Sequence, residues 1–574
     1  MKMRGSDIVV RALEDAGATF AFGIPGTHNI ELYDALHRST KVQAVLITDE
    51  QSAGFMADGV SRTSSSVGVV NVVPGAGITQ CLSGIAEAFL DGIPLVVLAC
   101  GIREDSGRAY QLHDIDQLAL LRPVTKGCLK PTSPDEIYST VRRAFELALC
   151  DTPGPVAVEI PANYYLLTLD VNDPWSFQPS TPHQPPPMMA LQEAATLVNA
   201  AKRVLLYVGN GARDAGASLV RLAETLGSPV ATTIQGKGVF PEHHPLWLWN
   251  GLGATAPPFA REIADGCDVM LAIGCRFGEV GTGSYSFTPP ATLIHVDINP
   301  DVFQRNFPAA VAIEADAAVF VSALLPLVTA REDWGDVAEH LTAGHRDLRE
   351  ASLREQHDSA VTPAVLFEVL QRISNDCIFT TDSGNGTFLA MEHLRIGFPG
   401  HFLAPVDFSC MGYAVPAAIG AKFANPAHDV VALPGDGAML MTGLELLTAA
   451  SYGLGVIVCV LRDGELSQIA QFQRTALGEA QNSVLPPFSV ESLAAAVGVD
   501  FVPCSRDSQV RGALEQAFAI ARGGRPVVVE VNIDYSRKTF FTKGVIATTF
   551  WRLPWRDRVR MMGRAVSRNL RRLE

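Results

Sequence analysis

Short apolar runs rich in β-branched residues, most ended by a glycine turn, alternate with helix-spaced segments along almost the whole chain. In the first third they read TFAFGIPG, QAVLITDE, VGVVNVVPG and PLVVLACG. RVLLYVGNG, SPVATTIQGKG, DVMLAIGCRFG and TLIHVDINP follow, then CIFTTDSGNG, DVVALPGDG, VIVCVLRDG and RPVVVEVNID. Runs apolar at successive positions suit strands buried on both faces. Alternating with helices, they predict parallel sheets covered on both sides, an α/β fold. Two connectors interrupt the series. Residues 173–189 are Pro-rich and read as an extended linker, and 331–362 are highly charged and read as an exposed helix. Three doubly wound parallel-sheet domains are expected, 1–172, 190–330 and 363–545, followed by a basic helical tail, 546–574.

Composition narrows the class. A chain of 574 residues is too long for one core. With 45 Lys and Arg against 60 Asp and Glu, its net charge of −15 argues against nucleic acid as a partner. Ten cysteines are scattered with none at CxxC spacing, which argues against a zinc site and a disulfide scaffold and suits a reducing compartment. The first residues intersperse charges among apolar positions, unlike a signal peptide, and no run reaches the ~20 residues of a membrane span. A cytoplasmic protein is expected.

The stretch from DVVALPGDG to VIVCVLRDG carries the clearest chemistry. It reads as strand, turn, helix (Leu440, Leu444 and Leu447 at helical spacing) and strand, a βαβ unit whose two strands lie parallel. Asp436 and Asp463 then both fall just past strand carboxyl ends, where open α/β sheets bind ligands. Two carboxylates there suit Mg²⁺, which takes oxygen ligands and completes its shell with water and phosphate. Gly435 and Gly437 let backbone approach that phosphate at a helix start. The bland reading is a pair of turn aspartates before glycine.

GDG followed some 26 residues later by an Asp turn resembles the thiamine diphosphate motif of the acetolactate synthase, pyruvate oxidase and benzaldehyde lyase family. The family usually has Asn-Asn where this chain has Arg462-Asp463. By that resemblance the metal ligands are Asp436, Asp463 and the Glu465 carbonyl, with Leu466 beside the cofactor. AVLITDEQSAGFMADGVSR resembles the segment holding the family's essential glutamate, placing on Glu50 the carboxyl that exchanges a proton with the cofactor's aminopyrimidine. VDFSCMGYAVPAAIGAKF places Met411 under the bend of the cofactor, and TTDSGNGT places Ser383, Gly384 and Asn385 near its diphosphate. The resemblance implies a pyrimidine-binding first domain, a diphosphate-binding third domain, and active sites between subunits of a homodimer or homotetramer.

It also frames the reaction. His28 stands where acetolactate synthases carry a small residue and benzaldehyde lyase a histidine. His113 stands where both commonly have glutamine, and Phe472 where the synthases tend to have tryptophan. Two imidazoles near the reacting carbon suit proton relay near neutral pH; the bland reading of each is a histidine satisfying hydrogen bonds at a helix start. The resulting expectation is a carboligase acting on a 2-oxo acid such as pyruvate. A 2-hydroxy ketone lyase and a membrane-associated flavin-dependent pyruvate oxidase are the rivals. FAD, if bound, would meet Gly209, Gly211 and Arg276 of the middle domain. NGLGATAPP lacks the His-Gly of many flavin-binding members, and the balance falls slightly against FAD. In the tail, Trp555, Val559, Met562, Val566 and Leu570 form one helical stripe opposite arginines. Packing on the chain's own body is favoured for it over contact with a membrane surface.

Overall fold

The computed structural model describes residues 2–171, 185–331, 335–560 and 563. Most of the Pro-rich connector, and Met562, Val566 and Leu570 of the tail stripe, lie outside them. Three six-stranded sheets, all parallel, form the body. The first orders its strands Gln43–Leu46, Phe20–Gly23, Gly68–Val72, Leu95–Gly101, Pro155–Pro161 and Gly127–Leu129. The third runs Phe402–Leu403, Ile378–Thr381, Val430–Leu433, Val456–Arg462, Val527–Asn532 and Asp500–Cys504. Numbered along the chain, both read 2-1-3-4-6-5. The middle sheet differs. Its strands Trp247–Asn250, Val230–Thr232, Val204–Val208, Val269–Ile273, Thr292–Asp297 and Val311–Glu314 read 3-2-1-4-5-6, the order of dinucleotide-binding sheets.

All twelve apolar runs singled out above form sheet strands. The remaining sheet strands are mostly edge or short ones. Phe402–Leu403 has two residues, and Asp500–Cys504 carries Pro503 at an edge, where a missing N–H costs least. The charged connector forms a helix, Gly335–Leu353, with most residues at least partly exposed. Among the described residues no helix is long and apolar enough to cross a membrane.

First and third sheets share one core. It runs from Phe22, Val45 and Met56 to Ala417, Ile419, Val430 and Val456. Helices Glu50–Thr63 and Ala414–Ala424 cross within it so closely that a Cβ on Gly59 would lie 2.3 Å from the Ala417 carbonyl oxygen, and one on Gly420 2.1 Å from that of Met56. Beside this crossing Arg62 is buried between Asp58 and Asp91, at 2.7 Å from each, while the Tyr413 hydroxyl donates to Asp58. Arg213 of the middle domain donates to the Arg62 carbonyl, and the Asp407 N–H to Asp91, so this cluster ties all three domains together.

The tail begins earlier than expected. Helix Phe540–Arg552 packs Gly544 against the Ala254 backbone and stacks Phe541 on Phe388 at 3.7 Å. Residues 555–560 are helical, as the sequence suggested, but Trp555 and Val559 are 67% and 53% exposed. That part of the stripe does not pack on the body.

Candidate active site

The strand order has a functional consequence. In open parallel sheets the connections diverge where the order reverses, and the crevice left at the carboxyl ends there is the usual ligand site. In the first sheet that point lies between Phe20–Gly23 and Gly68–Val72, in the third between Ile378–Thr381 and Val430–Leu433. Most sequence-predicted site residues follow these strands or their immediate neighbours.

At the first crevice Asp49 caps the Glu50–Thr63 helix, its carboxylate accepting from the Gln51 N–H at 2.9 Å. Glu50 therefore sits at the helix start, 9% exposed. Burial pushes its pKa up; a backbone hydrogen bond opposes this, and Asp49 adds to it. A Cβ on Gly77 would lie 3.5 Å from the Glu50 carboxylate, so the VPGAG loop forms one wall. Tyr33 is another neighbour, its pKa raised by burial and by Glu50. His28 and His113, distant in sequence, meet edge to face with ring centroids 5.3 Å apart. Burial, then the proximity of His113, pushes the His28 pKa down, favouring the neutral imidazole. His113 holds a left-handed backbone (φ 67°) and packs its carbonyl against Gly75, itself at φ 61°. A non-glycine residue is strained there. Gln117 fixes the loop by accepting from the Gly75 N–H and donating to the Cys100 carbonyl and Glu159. Tyr33, Gln117 and Asn71, whose buried amide nitrogen lacks a partner, escaped the sequence reading. Only Asn71, polar inside an otherwise apolar strand, carried a visible signal.

At the third crevice Asp436 is 1% exposed, and its carboxylate accepts from the Gly437 and Gly464 N–H groups at 2.9 and 2.8 Å. The two Asp-Gly turns are thus neighbours. Asp463 accepts from Ser467 Oγ at 2.7 Å, and burial with Asp436 nearby among the causes lifts its pKa to about 6. A buried and a half-buried carboxylate that oppose each other's charge are a donor set a divalent cation would relieve. The Glu465 side chain is engaged by Arg474, which leaves its carbonyl as the available ligand. Arg462 turns away, pairing with Glu530 and donating to the Phe488 carbonyl. A side chain on Gly437 would push Leu466 aside, because its Cβ would lie 2.6 Å from the Leu466 methyl and 3.5 Å from that of Met411. Asp382, missed in the sequence, accepts from the Ser383, Gly412 and Ala414 N–H groups and so fixes the segment around Met411. Ser383 shares a hydrogen bond with Ser409.

Two observations make this crevice fit a diphosphate. Asn385, at the start of helix Asn385–His393, is 5% exposed, yet neither of its amide heavy atoms has a partner. A buried amide left unpaired is costly unless a ligand completes it. At Gly384 (φ 144°) and Gly435 a Cβ would meet nothing within 4 Å, so open space faces both strand ends. By chemistry and by space, the residues fit thiamine diphosphate with Mg²⁺.

The two domains touch directly, Thr48 donating to Glu445 and the Cys410 N–H to Glu87, but among the described residues no hydrogen bond or ion pair joins Glu50 to Asp436 or Asp463. The groups bearing on the Glu50 carboxyl, namely Asp49, Tyr33, Cys81 and Gly77, all belong to the first domain. The helical segment between the two Asp-Gly turns presents three leucines outward. Leu440, Leu444 and Leu447 share helical spacing but are 46–58% exposed, facing outward rather than into the core of this chain.

In the middle domain the candidate flavin residues have structural employment. Gly209 and Gly211 spend their N–H groups on the Ile273 and Gly274 carbonyls, and a Cβ on Gly209 would lie 2.0 Å from the latter. Arg276 donates to Asp407 and to the Leu90 carbonyl. A cavity of about 640 Å³ nevertheless opens at this switch point, lined by Asn210, Arg213, Gly274, Arg276 and Asp297 among others.

Comparison with known proteins agrees with this layout. Models of the N-terminal thiamine pyrophosphate binding domain, the central domain and the C-terminal thiamine pyrophosphate binding domain of thiamine pyrophosphate enzymes match residues 3–120, 191–324 and 382–531. The chain is 32% identical over 555 residues to a probable acetolactate synthase large subunit of Methanocaldococcus jannaschii, covering 93% of this chain and 92% of that one. It is 31% identical over 563 residues to the isozyme 3 large subunit of Escherichia coli, covering 94% and 96%. The large subunit of Corynebacterium glutamicum is 32% identical over 553 residues, covering 92% and 86%. With its three sheets, its two carboxylate crevices and these matches along its length, the chain belongs to the acetolactate synthase family of thiamine pyrophosphate-dependent enzymes.

Proposed function

We propose that the protein is a Mg²⁺-dependent carboligase that takes a 2-oxo acid, pyruvate first among them, as donor and joins its decarboxylated fragment to a second carbonyl compound. The observation that carries this reading is the pairing of buried Asp436 with half-buried Asp463 at the sheet edge that also carries the unpartnered Asn385 amide. Asp436, Asp463 and the Glu465 carbonyl would hold Mg²⁺; Ser383, Gly384, Asn385, Gly435 and Gly437 would border the diphosphate. Met411 and Leu466, packed around Gly437, would support the cofactor. Bound there, thiamine diphosphate supplies a nucleophilic carbon and an electron sink. Glu50 exchanges a proton with the ring nitrogen of the aminopyrimidine, and its raised pKa suits that exchange. His28, held neutral, accepts or returns a proton at a substrate oxygen, with His113 beside it.

That no third-domain group bears on the Glu50 carboxyl supports sites assembled from two chains. Ile30 and Leu46 near the first crevice are each 57% exposed, and Leu440, Met441, Leu444 and Leu447 beside the second are exposed as well. Apolar side chains left exposed beside both crevices suit cover by a second copy, in a homodimer or homotetramer. Ten free cysteines suit a cytoplasmic setting. FAD is given no part in this chemistry, and a colourless protein is expected. The paired histidines favour a second reading, cleavage of a bulkier 2-hydroxy ketone. A flavin-dependent oxidase at a membrane surface draws on the middle cavity and exposed Trp555, and would require a yellow protein and lipid-stimulated turnover. The test is incubation of purified protein with pyruvate, thiamine diphosphate and Mg²⁺, with products followed by NMR. Acetolactate or acetoin is expected. Intact pyruvate beside a bound cofactor would overturn the donor assignment and turn the search to 2-hydroxy ketones.

A further inference from the structure

The opposite edge of the third sheet carries chemistry that the cofactor does not use. Three adjacent strands begin there, and each is preceded by a metal-ligating side chain. Asp376 lies two residues before Ile378–Thr381, His401 one before Phe402–Leu403, and His428 two before Val430–Leu433. The sheet fixes all three backbones. Phe379 N–H donates to the His401 carbonyl at 2.9 Å and Ile378 N–H to that of Asp429 at 3.0 Å. Lys422 Nζ donates to the His428 carbonyl at 2.6 Å, pinning that turn from outside.

The side chains converge. His401 Nδ1 lies 3.4 Å from one Asp376 carboxylate oxygen and His428 Nε2 3.5 Å from the other, with the rings edge to face at 5.7 Å. One ligand atom from each residue falls within 4.8 Å of the others. Two ligands at ~2.1 Å on a tetrahedral ion are separated by roughly 3.4 Å, so this spacing is that of neighbours in one coordination shell. Among the described residues this is the only trio of His, Cys, Asp or Glu side chains so arranged. The His428 and Asp376 side chains are 36% and 57% exposed, giving an ion a path from solvent and room for water in the remaining position.

We propose that Asp376, His401 and His428 bind one transition-metal ion of the zinc class, clasping the starts of three strands at the edge remote from Asp436 and Asp463. Two imidazoles and a carboxylate select Zn²⁺, Co²⁺ or Ni²⁺ over the Mg²⁺ that the all-oxygen site suits. The role is structural: the ion ties together the starts of three adjacent strands, and turnover does not depend on it.

The experiment uses the full-length protein saturated with thiamine diphosphate and Mg²⁺, titrated with Zn²⁺ and separately with Co²⁺ by calorimetry. Wild type is expected to take up one such ion per chain, with affinity at least ten-fold weaker in His428→Gln and in Asp376→Asn. Both positions are solvent-accessible, so each variant checks the other should one fail to fold. The ion should raise the melting temperature of wild type and leave that of the variants unmoved, while turnover in excess Mg²⁺ is unchanged in both. Equal binding by wild type and both variants would overturn the proposal, as would no binding at all. So would binding that survives His428→Gln but disappears in Asp463→Ala, because the ion would then sit among the Mg²⁺ ligands.

Discussion

The first and third sheets run their strands in the same order and share a core, yet their carboxyl edges carry opposite chemistry. One crevice presents a single carboxyl, Glu50, among Tyr33, Cys81 and the VPGAG loop, where burial favours the protonated form. The other gathers two aspartates, a carbonyl and a buried amide, where a cation and a phosphate have partners. Topology supplies the place, between strands whose connections diverge, and side chains decide what binds there. A buried carboxyl suits the tuning of a proton, and an oxygen-rich crevice suits a metal.

That contrast orders the expected effects. Glu50→Gln removes the proton while keeping shape, so turnover should fall by about 10²–10⁴-fold with thiamine diphosphate affinity near wild type. Steady-state kinetics beside a cofactor-binding titration would check both. Unchanged turnover would break the comparison at its first half. Asp436→Ala should act the other way, weakening Mg²⁺ and cofactor binding by about 100-fold or more, with some turnover regained at high Mg²⁺. A loss of turnover at unaltered cofactor affinity would contradict the assignment of that crevice to the metal.

Arg62→Ala probes the shared scaffold. It leaves Asp58 and Asp91 buried without their cation, a loss of about 3–5 kcal/mol in chemical denaturation, since one partner of a buried network is left uncompensated. A loss below about 1 kcal/mol would mean that solvent reaches the junction. The smallest effect belongs to the histidine pair. His28 resists protonation in the folded protein, so the acid limb of kcat/KM should lie below the ordinary histidine value of 6.5. The sign follows from linkage. An unfolded chain takes up this proton first as pH falls, and the neutral His28 contribution to stability is lost below that value. Removing the repulsive neighbour in His113→Asn should move the acid limb upward; a downward shift would contradict the pairing.

Much of this was legible in the sequence, for a local reason. Strands buried on both faces announce themselves as apolar runs, and an Asp-Gly turn after such a run falls at the ligand edge. Asp436 and Asp463 could thus be placed together from one βαβ unit. What stayed hidden depends on contacts between distant segments. Tyr33 and Gln117 look like ordinary helix residues until the fold brings them to the first crevice. Leu440, Leu444 and Leu447 announce a helix, but an apolar stripe does not say whether its cover is the same chain or another. The Asp376, His401 and His428 trio has no spacing signature, being assembled from the starts of three strands. Gly209 and Gly211 show the converse, a glycine pattern suggestive of a phosphate loop that packing against Gly274 explains.

The central claim is that one active site is built from two unlike crevices on two chains, and mixing two crippled variants tests it most directly. Glu50→Gln and Asp436→Ala, each nearly inactive alone, would be dissociated together, reassociated and assayed. Mixed pairs then hold one site with Glu50 from one chain and Asp436 from the other. Random pairing is expected to restore about a quarter of wild-type turnover. Activity no greater than the sum of the two variants, in a mixture shown to contain mixed pairs, would place both crevices of each site on a single chain and contradict the account.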